Sequence, residues 1–316
     1  MIIEGVKKNE YLFKNKRIFL VCDSIFERLE VSQIINKYVI TKFCDFKPNP
    51  TIDEVQNGVK LFNKNKYDLL VAVGGGSSID VAKCIKYYSK ENITFIAIPT
   101  TAGTGSESTK FAVVYKNDEK QSISSNDILP DYSILDESVL CTLPEYVRKT
   151  TMLDALCHSI ESFWSKKATK ESQELSVRAI KKIMKYKNMY LNNITKGNKE
   201  MLKAANIAGQ AINITTTTAA HAMSYKLTSI YKISHGHACA ICLPEVWKIN
   251  KSIIPNITID DFISLLDELK IWKPVSKKKH EDIQILVKSV NLERLSNNPV
   301  LLNKEQIKKM YERILQ

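Results

Sequence analysis

Asp154 and His158 stand four residues apart in Met152-Leu153-Asp154-Ala155-Leu156-Cys157-His158, and His221 and His235 lie downstream. The chain has five histidines, so most of its imidazoles fall into this one set. On a helix, side chains at i and i+4 leave the same face, so Asp154 and His158 are aimed at one point. A carboxylate with imidazoles suits a borderline divalent cation such as iron or zinc. It also leaves a coordination position for a substrate. Upstream, Gly74-Gly75-Gly76-Ser77 joins an apolar run to a helical pattern. Glycines there let the backbone approach an anion, and the helix start offers unpaired N–H groups to a pyrophosphate. A tight turn is the alternative reading. A metal site and a dinucleotide site in one chain point to hydride chemistry.

A second loop after an apolar run reads Pro99-Thr100-Thr101-Ala102-Gly103-Thr104-Gly105-Ser106-Glu107. Thr100, Thr101 and Thr104 offer donors to phosphate, ribose or carboxamide. Asp23 closes the first apolar run. It is either a turn residue or an acceptor for the adenosine ribose hydroxyls. In the second role it would repel a 2′-phosphate and favour NAD over NADP.

These residues need elements to hold them. Residues 17–22, 67–73 and 94–98 are short β-branched runs, and residues 53–65 and 79–89 have helical periodicity. Strands alternating with helices imply a parallel, doubly wound sheet. Later the pattern changes, with helices expected over residues 144–164, 170–191, 199–214 and 260–269. The shift lies near residues 136–143 and divides the chain into an α/β dinucleotide-binding domain, 1–139, and a helical metal-binding domain, 140–316. Ligands are then expected in the cleft between domains.

Composition narrows the class. A chain of 316 residues with 44% hydrophobic content suits a globular protein. No apolar run approaches the ~20 residues that span a bilayer, and the N-terminus lacks the order of a signal peptide. A cytoplasmic protein without a membrane partner is expected. The net charge of +12 is nearly all lysine spread through helical patterns. That reads as a solvated surface and gives no nucleic-acid stripe. Seven cysteines, several in apolar surroundings, suggest reduced core thiols. The pair Cys239-Ala240-Ile241-Cys242 reads as part of a packed helix.

Taken together, the motifs Gly74-Gly75-Gly76-Ser77-Ser78-Ile79-Asp80-Val81-Ala82-Lys83, residues 99–107 and Asp154-Ala155-Leu156-Cys157-His158-Ser159-Ile160-Glu161 resemble the iron-containing alcohol dehydrogenases. The likeness runs from about residue 17 to the C-terminus. It implies an N-terminal Rossmann-like α/β domain followed by an all-helical domain, as in dehydroquinate synthase. It implies Fe(2+) or Zn(2+) on Asp154, His158, His221 and His235, with the 14-residue gap between the last two and the following Gly236 in agreement. NAD(H) would meet Asp23, Gly75, Gly76, Ser77, Asp80, Thr100, Thr101, Thr104 and Lys120.

Within that family, residues 107–115 and 291–299 look most like phosphonoacetaldehyde reductases. A phosphonate dianion leaving water needs a cation, and Lys110 is the candidate, unless it is an exposed strand lysine. Many members carry a histidine relay four residues after the third metal ligand. Tyr225 occupies that position here, so His237 becomes the substitute unless it packs structurally. The chain is also shorter than usual, around residues 262–279. The expected activity is NADH-dependent reduction of a small, anionic aldehyde. The alternatives are a general alcohol dehydrogenase on neutral substrates and a non-catalytic metal- and nucleotide-binding relative. A second copy of the chain is a candidate partner.

Overall fold

The computed structural model describes residues 1–116 and 119–316, with the side chains of Glu119 and Lys120 also outside the description. The chain forms two compact units, Met1–Leu143 with Asn188–Gly209, and Pro144–Lys187 with Gln210–Gln316. Where one boundary near 139–140 was expected, the chain changes unit at residue 144 and twice more within the helices around 188 and 209. Neither helix breaks its periodicity there, so no compositional shift marks the passage.

The first unit holds β1 (Ile2–Glu4), β2 (Ile18–Cys22), α1 (Ser32–Ile35), β3 (Val39–Phe43), α2 (Ile52–Phe62), β4 (Leu69–Gly74), α3 (Gly76–Ser89) and β5 (Thr94–Pro99). It continues with β6 (Phe111–Lys116), β7 (Glu119–Ser124) and β8 (Tyr132–Leu135). Six strands form one sheet in the order β1-β8-β5-β4-β2-β3, and every pair is parallel. Strands β2 and β4 are buried along their whole length. This is why they read as continuous apolar runs without alternation. Strands β6 and β7 make a separate antiparallel hairpin. Helix α2 begins with a capping box, in which Thr51 and Glu54 each satisfy the other's backbone N–H.

Three loops leave the sheet together. Register pairs Cys22 with Val73 and Gly74 with Pro99. Asp23, Gly75 and Thr100 therefore emerge at the same, C-terminal edge. The loop after β5 is then pinned to α3. Lys83, fully buried, donates to the carbonyls of Ser106 and Phe111 at 2.6 and 2.7 Å and to the hydroxyls of Ser106 and Thr109. Burial pushes its ammonium down to about 8, so these acceptors are what make a charged lysine tolerable there.

The second unit is helical: α4 (Glu145–Trp164), α5 (Lys170–Leu191), α6 (Thr195–Thr215), α7 (Ala219–Tyr231), α8 (His235–Asn250), α9 (Ile259–Glu268), α10 (Lys279–Lys288), α11 (Leu292–Ser296) and α12 (Lys304–Ile314). The tip formed by the end of α5 and most of α6 belongs to the first unit. Helix α8 packs on both α4 and α7. The α/β-then-helical architecture expected from the sequence is the one observed. Among the described residues, no helix is long and apolar enough to cross a membrane.

Gly105 and Gly209 mark where α6 meets the loop after β5. Gly105 has φ +62°, which other residues rarely adopt, and a Cβ on Gly209 would lie 2.6 Å from the Gly105 carbonyl oxygen. Replacing Gly209 with Ala should therefore force the backbones apart, costing about 1–3 kcal/mol. A lowered unfolding midpoint in thermal or denaturant melts is the expected result, and an unchanged midpoint would show that the approach is not tight.

Candidate functional site

Helix α4 carries the first half of the candidate metal centre. Its N-terminus is set by Pro144, whose carbonyl accepts the Arg148 N–H at 2.8 Å. Asp154, His158 and Glu161 then fall at i, i+4 and i+7, within one narrow face. All three are buried, Glu161 completely. An isolated ion there would be costly, so each must be paired.

Glu161 is paired by the start of α7. Its Oε1 accepts the Thr218 hydroxyl at 2.6 Å and the Ala220 N–H at 2.9 Å, with longer bonds from the N–H groups of Thr218 and His221. Its Oε2 meets Nδ1 of His221. Burial alone would raise this carboxyl, but His221, Thr218 and Ala220 hold it below the usual range. The carboxylate thereby caps α7 in place of a side chain from α7 itself. It also fixes the His221 ring, with Nε2 pointing away from Glu161. A carboxylate behind a ligating histidine orients the ring and raises its basicity.

Helix α8 supplies the other half. Gly236 lies so near α4 that a Cβ there would be 2.0 Å from the Thr150 carbonyl oxygen and 2.9 Å from Cβ of Asp154. This approach is open to glycine alone, and it carries the neighbouring His235 to Asp154. His221 Nε2 and His235 Nε2 stand 3.7 and 4.0 Å from Asp154 Oδ1. The His158 ring lies flat on His221, centroids 4.6 Å apart. Burial would push the Asp154 carboxyl up, yet His158, His221 and His235 outweigh it and hold it well below the ordinary range. His235 is partly exposed at 36%, whereas Asp154 and His221 are buried.

These residues fit a divalent cation. Asp154 Oδ1 and His221 Nε2 are buried with no hydrogen-bond partner, which protein interiors rarely tolerate. Their separations are too long for hydrogen bonds and suit donors sharing one ion. Ligand atoms of Asp154, His221, His235 and Cys239 all lie within 4.8 Å of one another. Of the four ligands expected, Asp154, His221 and His235 converge in this group, while His158 stacks beside it. Cys239 joins the group although its sequence context gave it only a packing role. The signal was present, because Cys239 follows His235 by four residues on α8.

His237 corrects an expectation. It is wholly buried, its Nδ1 bonds to the Tyr146 hydroxyl at 3.0 Å, and its Nε2 donates to the Trp272 carbonyl at 2.8 Å. Both ring nitrogens are committed, and burial lowers its pKa. His237 ties the start of α4 to the segment after α9. Tyr225 instead stacks on His235, with ring centroids 5.7 Å apart.

In the first unit, the structure brings Asp23, Gly75, Gly76, Thr101 and Thr104 together. A Cβ on Gly76 would meet Thr104 at 2.9 Å, and one on Gly75 would touch Thr101 at 3.5 Å. The N-cap of α3 is Gly75, which has no side chain to cap the helix's first turn, and uncapped helix starts suit anions. Asp23 is half-buried, accepts the N–H groups of Ile25 and Gly75, and has its carboxyl pushed up by burial. Thr100 is buried, and its N–H bonds to Gly74. Ser77 lies in the first turn of α3, its hydroxyl 3.4 Å from the Asn49 N–H.

Asp80 is engaged by the loop after β5 and by β6. Its two oxygens accept the Ser106 hydroxyl at 2.6 Å and the Val113 N–H at 3.0 Å. With Lys83, it staples the loop after β5 to α3, and that pairing was missed from sequence. Lys110 is half-buried just before β6, its carbonyl accepting the Ser125 N–H. The side chain of Lys120 lies outside the described residues.

Residues 5–137 match the family described as iron-containing alcohol dehydrogenase, and residues 149–258 match the C-terminal part of the Fe-containing alcohol dehydrogenase family. The chain is 30% identical to 1-propanol dehydrogenase of Citrobacter freundii over 251 residues, covering 75% of this chain and 67% of that protein. It is 28% identical to an NADPH-dependent butanol dehydrogenase of Clostridium saccharobutylicum, over 84% of this chain and 81% of that one. Among solved structures, sulfoacetaldehyde reductase from Bifidobacterium kashiwanohense in complex with NAD+ superposes with a TM-score of 0.89. That pair is 27% identical and covers 99% of this chain and 96% of the other.

The metal reading generates a graded test. His221→Ala or His235→Ala should abolish bound metal while the fold, read by circular dichroism, persists. Glu161→Gln should keep the site but weaken metal affinity about 10- to 100-fold, because His221 loses its anionic support. Undiminished metal binding in all three variants would remove the assignment.

Proposed function

The chain belongs to the iron-containing alcohol dehydrogenase family, oxidoreductases of alcohols and aldehydes that work with a nicotinamide cofactor and a metal. On that footing we propose that it reduces a small anionic aldehyde with NADH at a centre built on Asp154, His158, His221 and His235. Phosphonoacetaldehyde, giving 2-hydroxyethylphosphonate, is the first candidate substrate. The observation that carries the reading is the buried, unpartnered pair Asp154 Oδ1 and His221 Nε2 beside the half-open His235.

A divalent cation there supplies Lewis acidity to the carbonyl oxygen, and the reduced nicotinamide supplies the hydride. Asp154 balances the cation's charge. Glu161 holds the His221 ring in the tautomer that presents Nε2. The α3 N-terminus with Gly75 and Gly76 seats the pyrophosphate, and Asp23 accepts the adenosine ribose hydroxyls. With His237 committed to Tyr146 and Trp272, the proton for the product alcohol comes from Tyr225, water or a ribose hydroxyl.

Two relatives pull the substrate reading in different directions. The sulfoacetaldehyde reductase acts on a small aldehyde with an anionic group, which favours the anionic class and NAD. The 1-propanol dehydrogenase favours neutral substrates. A panel of phosphonoacetaldehyde, sulfoacetaldehyde and propanal, assayed with NADH and NADPH after loading with ferrous iron or zinc, decides between them. A clear preference for propanal would leave a general alcohol dehydrogenase.

Two substitutions test the named residues. Asp23→Gly should raise kcat/KM for NADPH relative to NADH by about tenfold, or ~1.4 kcal/mol, by removing a repelling carboxylate. A wild-type enzyme that already prefers NADPH strongly would overturn the role given to Asp23. Lys110→Ala should mainly raise KM for the phosphonate, with a loss of ~1.5–3 kcal/mol, roughly ten- to hundredfold in kcat/KM. Equal losses on charged and neutral aldehydes would make Lys110 structural.

A further inference from the structure

Thr216, which joins α6 to α7, has φ +60°. Among the described residues with positive φ, it alone is β-branched. Its N–H closes the last turn of α6 on the Ile212 carbonyl at 2.8 Å. Glycine or asparagine normally takes that left-handed position after a helix, and a branched Cβ makes it strained. Such a conformation persists only where the surroundings impose it. Here they centre on Asn297, at the end of α11 and 4% exposed. Its side-chain amide donates to the carbonyls of Thr215 and Thr217 at 2.8 and 3.1 Å, and the same nitrogen lies 3.1 Å from the Thr216 hydroxyl. Its Oδ1 accepts the Ser165 hydroxyl at 2.9 Å, and its carbonyl accepts the Lys166 N–H at 3.0 Å. Ser165 ends α4, four residues after Glu161.

We propose that Asn297 is a positioning residue of the metal centre, holding Thr216 in its strained turn and thereby fixing where α7 begins. The residues that follow carry the consequence. Thr218, two positions on, gives its hydroxyl to Glu161 at 2.6 Å, and Glu161 meets Nδ1 of His221. Released from Asn297, Thr216 relaxes toward negative φ and the first turn of α7 shifts against Glu161. His221 Nε2 then leaves its place 3.7 Å from Asp154 Oδ1. A clamp of merely structural value would lower stability and leave metal affinity alone. A positioning clamp becomes dispensable in Thr216→Gly, whose backbone adopts φ +60° without strain. The inference rests on the metal centre proposed above, and the test separates the two.

Co(2+) is titrated into the metal-free wild-type protein, Asn297→Ala, Thr216→Gly and the double variant, following the visible cobalt bands and the melting temperature. Asn297→Ala should bind cobalt about tenfold more weakly, with altered bands, because a group that orients a ligand is lost. Thr216→Gly should bind as tightly as wild type, and the double variant should recover both affinity and spectrum. Wild-type affinity and bands in Asn297→Ala, even with a lowered melting temperature, overturn the positioning role and leave the centre standing. A double variant no better than Asn297→Ala overturns it as well. Failure of the wild-type protein to retain any cobalt overturns the centre and the inference together. Should Asn297→Ala not fold, the double variant gives the answer. Folding with the wild-type cobalt spectrum supports the clamp, and failure to fold or an altered spectrum refutes it.

Discussion

The buried carboxylate of Glu161 is the interaction on which the helical unit depends. A charge with no solvent access costs several kcal/mol unless its partners are already in place. Here they are the hydroxyl and N–H of Thr218 and the first-turn N–H groups of α7. Trp164 in turn donates to the Thr218 hydroxyl at 2.9 Å. One carboxylate thus ends the orphaned state of a helix start, sets where α7 begins, and presents His221 in a single orientation. Moving α7 by one residue would break all of these at once. The orientation of His221 is therefore a by-product of satisfying a charge that folding has already buried.

The first unit solves the opposite problem. There a lysine is buried, and backbone carbonyls and hydroxyls of the loop after β5 surround it. Asp80, one turn earlier on α3, holds Ser106 and Val113 from the same side. The loop that faces Gly75 and Gly76 is consequently tied to α3 by its own side chains and carbonyls. In both units an ion inside the protein positions a neighbouring segment.

Much of this was legible in the sequence, and the gaps have physical causes. Helix α5 runs Lys170–Leu191, as its periodicity indicated, and β2, β4 and β5 announced themselves because central parallel strands are apolar throughout. The edge strands β1 and β3 did not. The first is three residues long, and the second, Val39–Phe43, is mostly half-buried, so neither shows a continuous run. The i, i+4 spacing of Asp154 and His158 gave one face of a helix, but Glu161 at i+7 looked like any helical glutamate until α7 was seen to begin against it. Cys239 was hidden by its context of alanines and a second cysteine, which reads as core. His237 misled for the converse reason. A histidine near metal-binding residues suggests proton transfer, whereas Tyr146 and Trp272, distant in sequence, determine what it does.

The clasp between α6 and the loop after β5 also bears on how such a chain can be recombined. Asn206 donates to the buried Glu107 at 3.0 Å and bonds to Ser108, and Gly209 lies against Gly105. Residues nearly a hundred positions apart thus form one packing motif, with Pro144–Lys187 of the helical unit lying between them in the sequence. A crossover placed after residue 143 would inherit Glu107 and Gly105 from one parent and Asn206 and Gly209 from another. These four positions are therefore expected to travel together among viable chimaeras. In this chain the unit of inheritance for the α/β half is two segments, and the shorter one is written inside its neighbour.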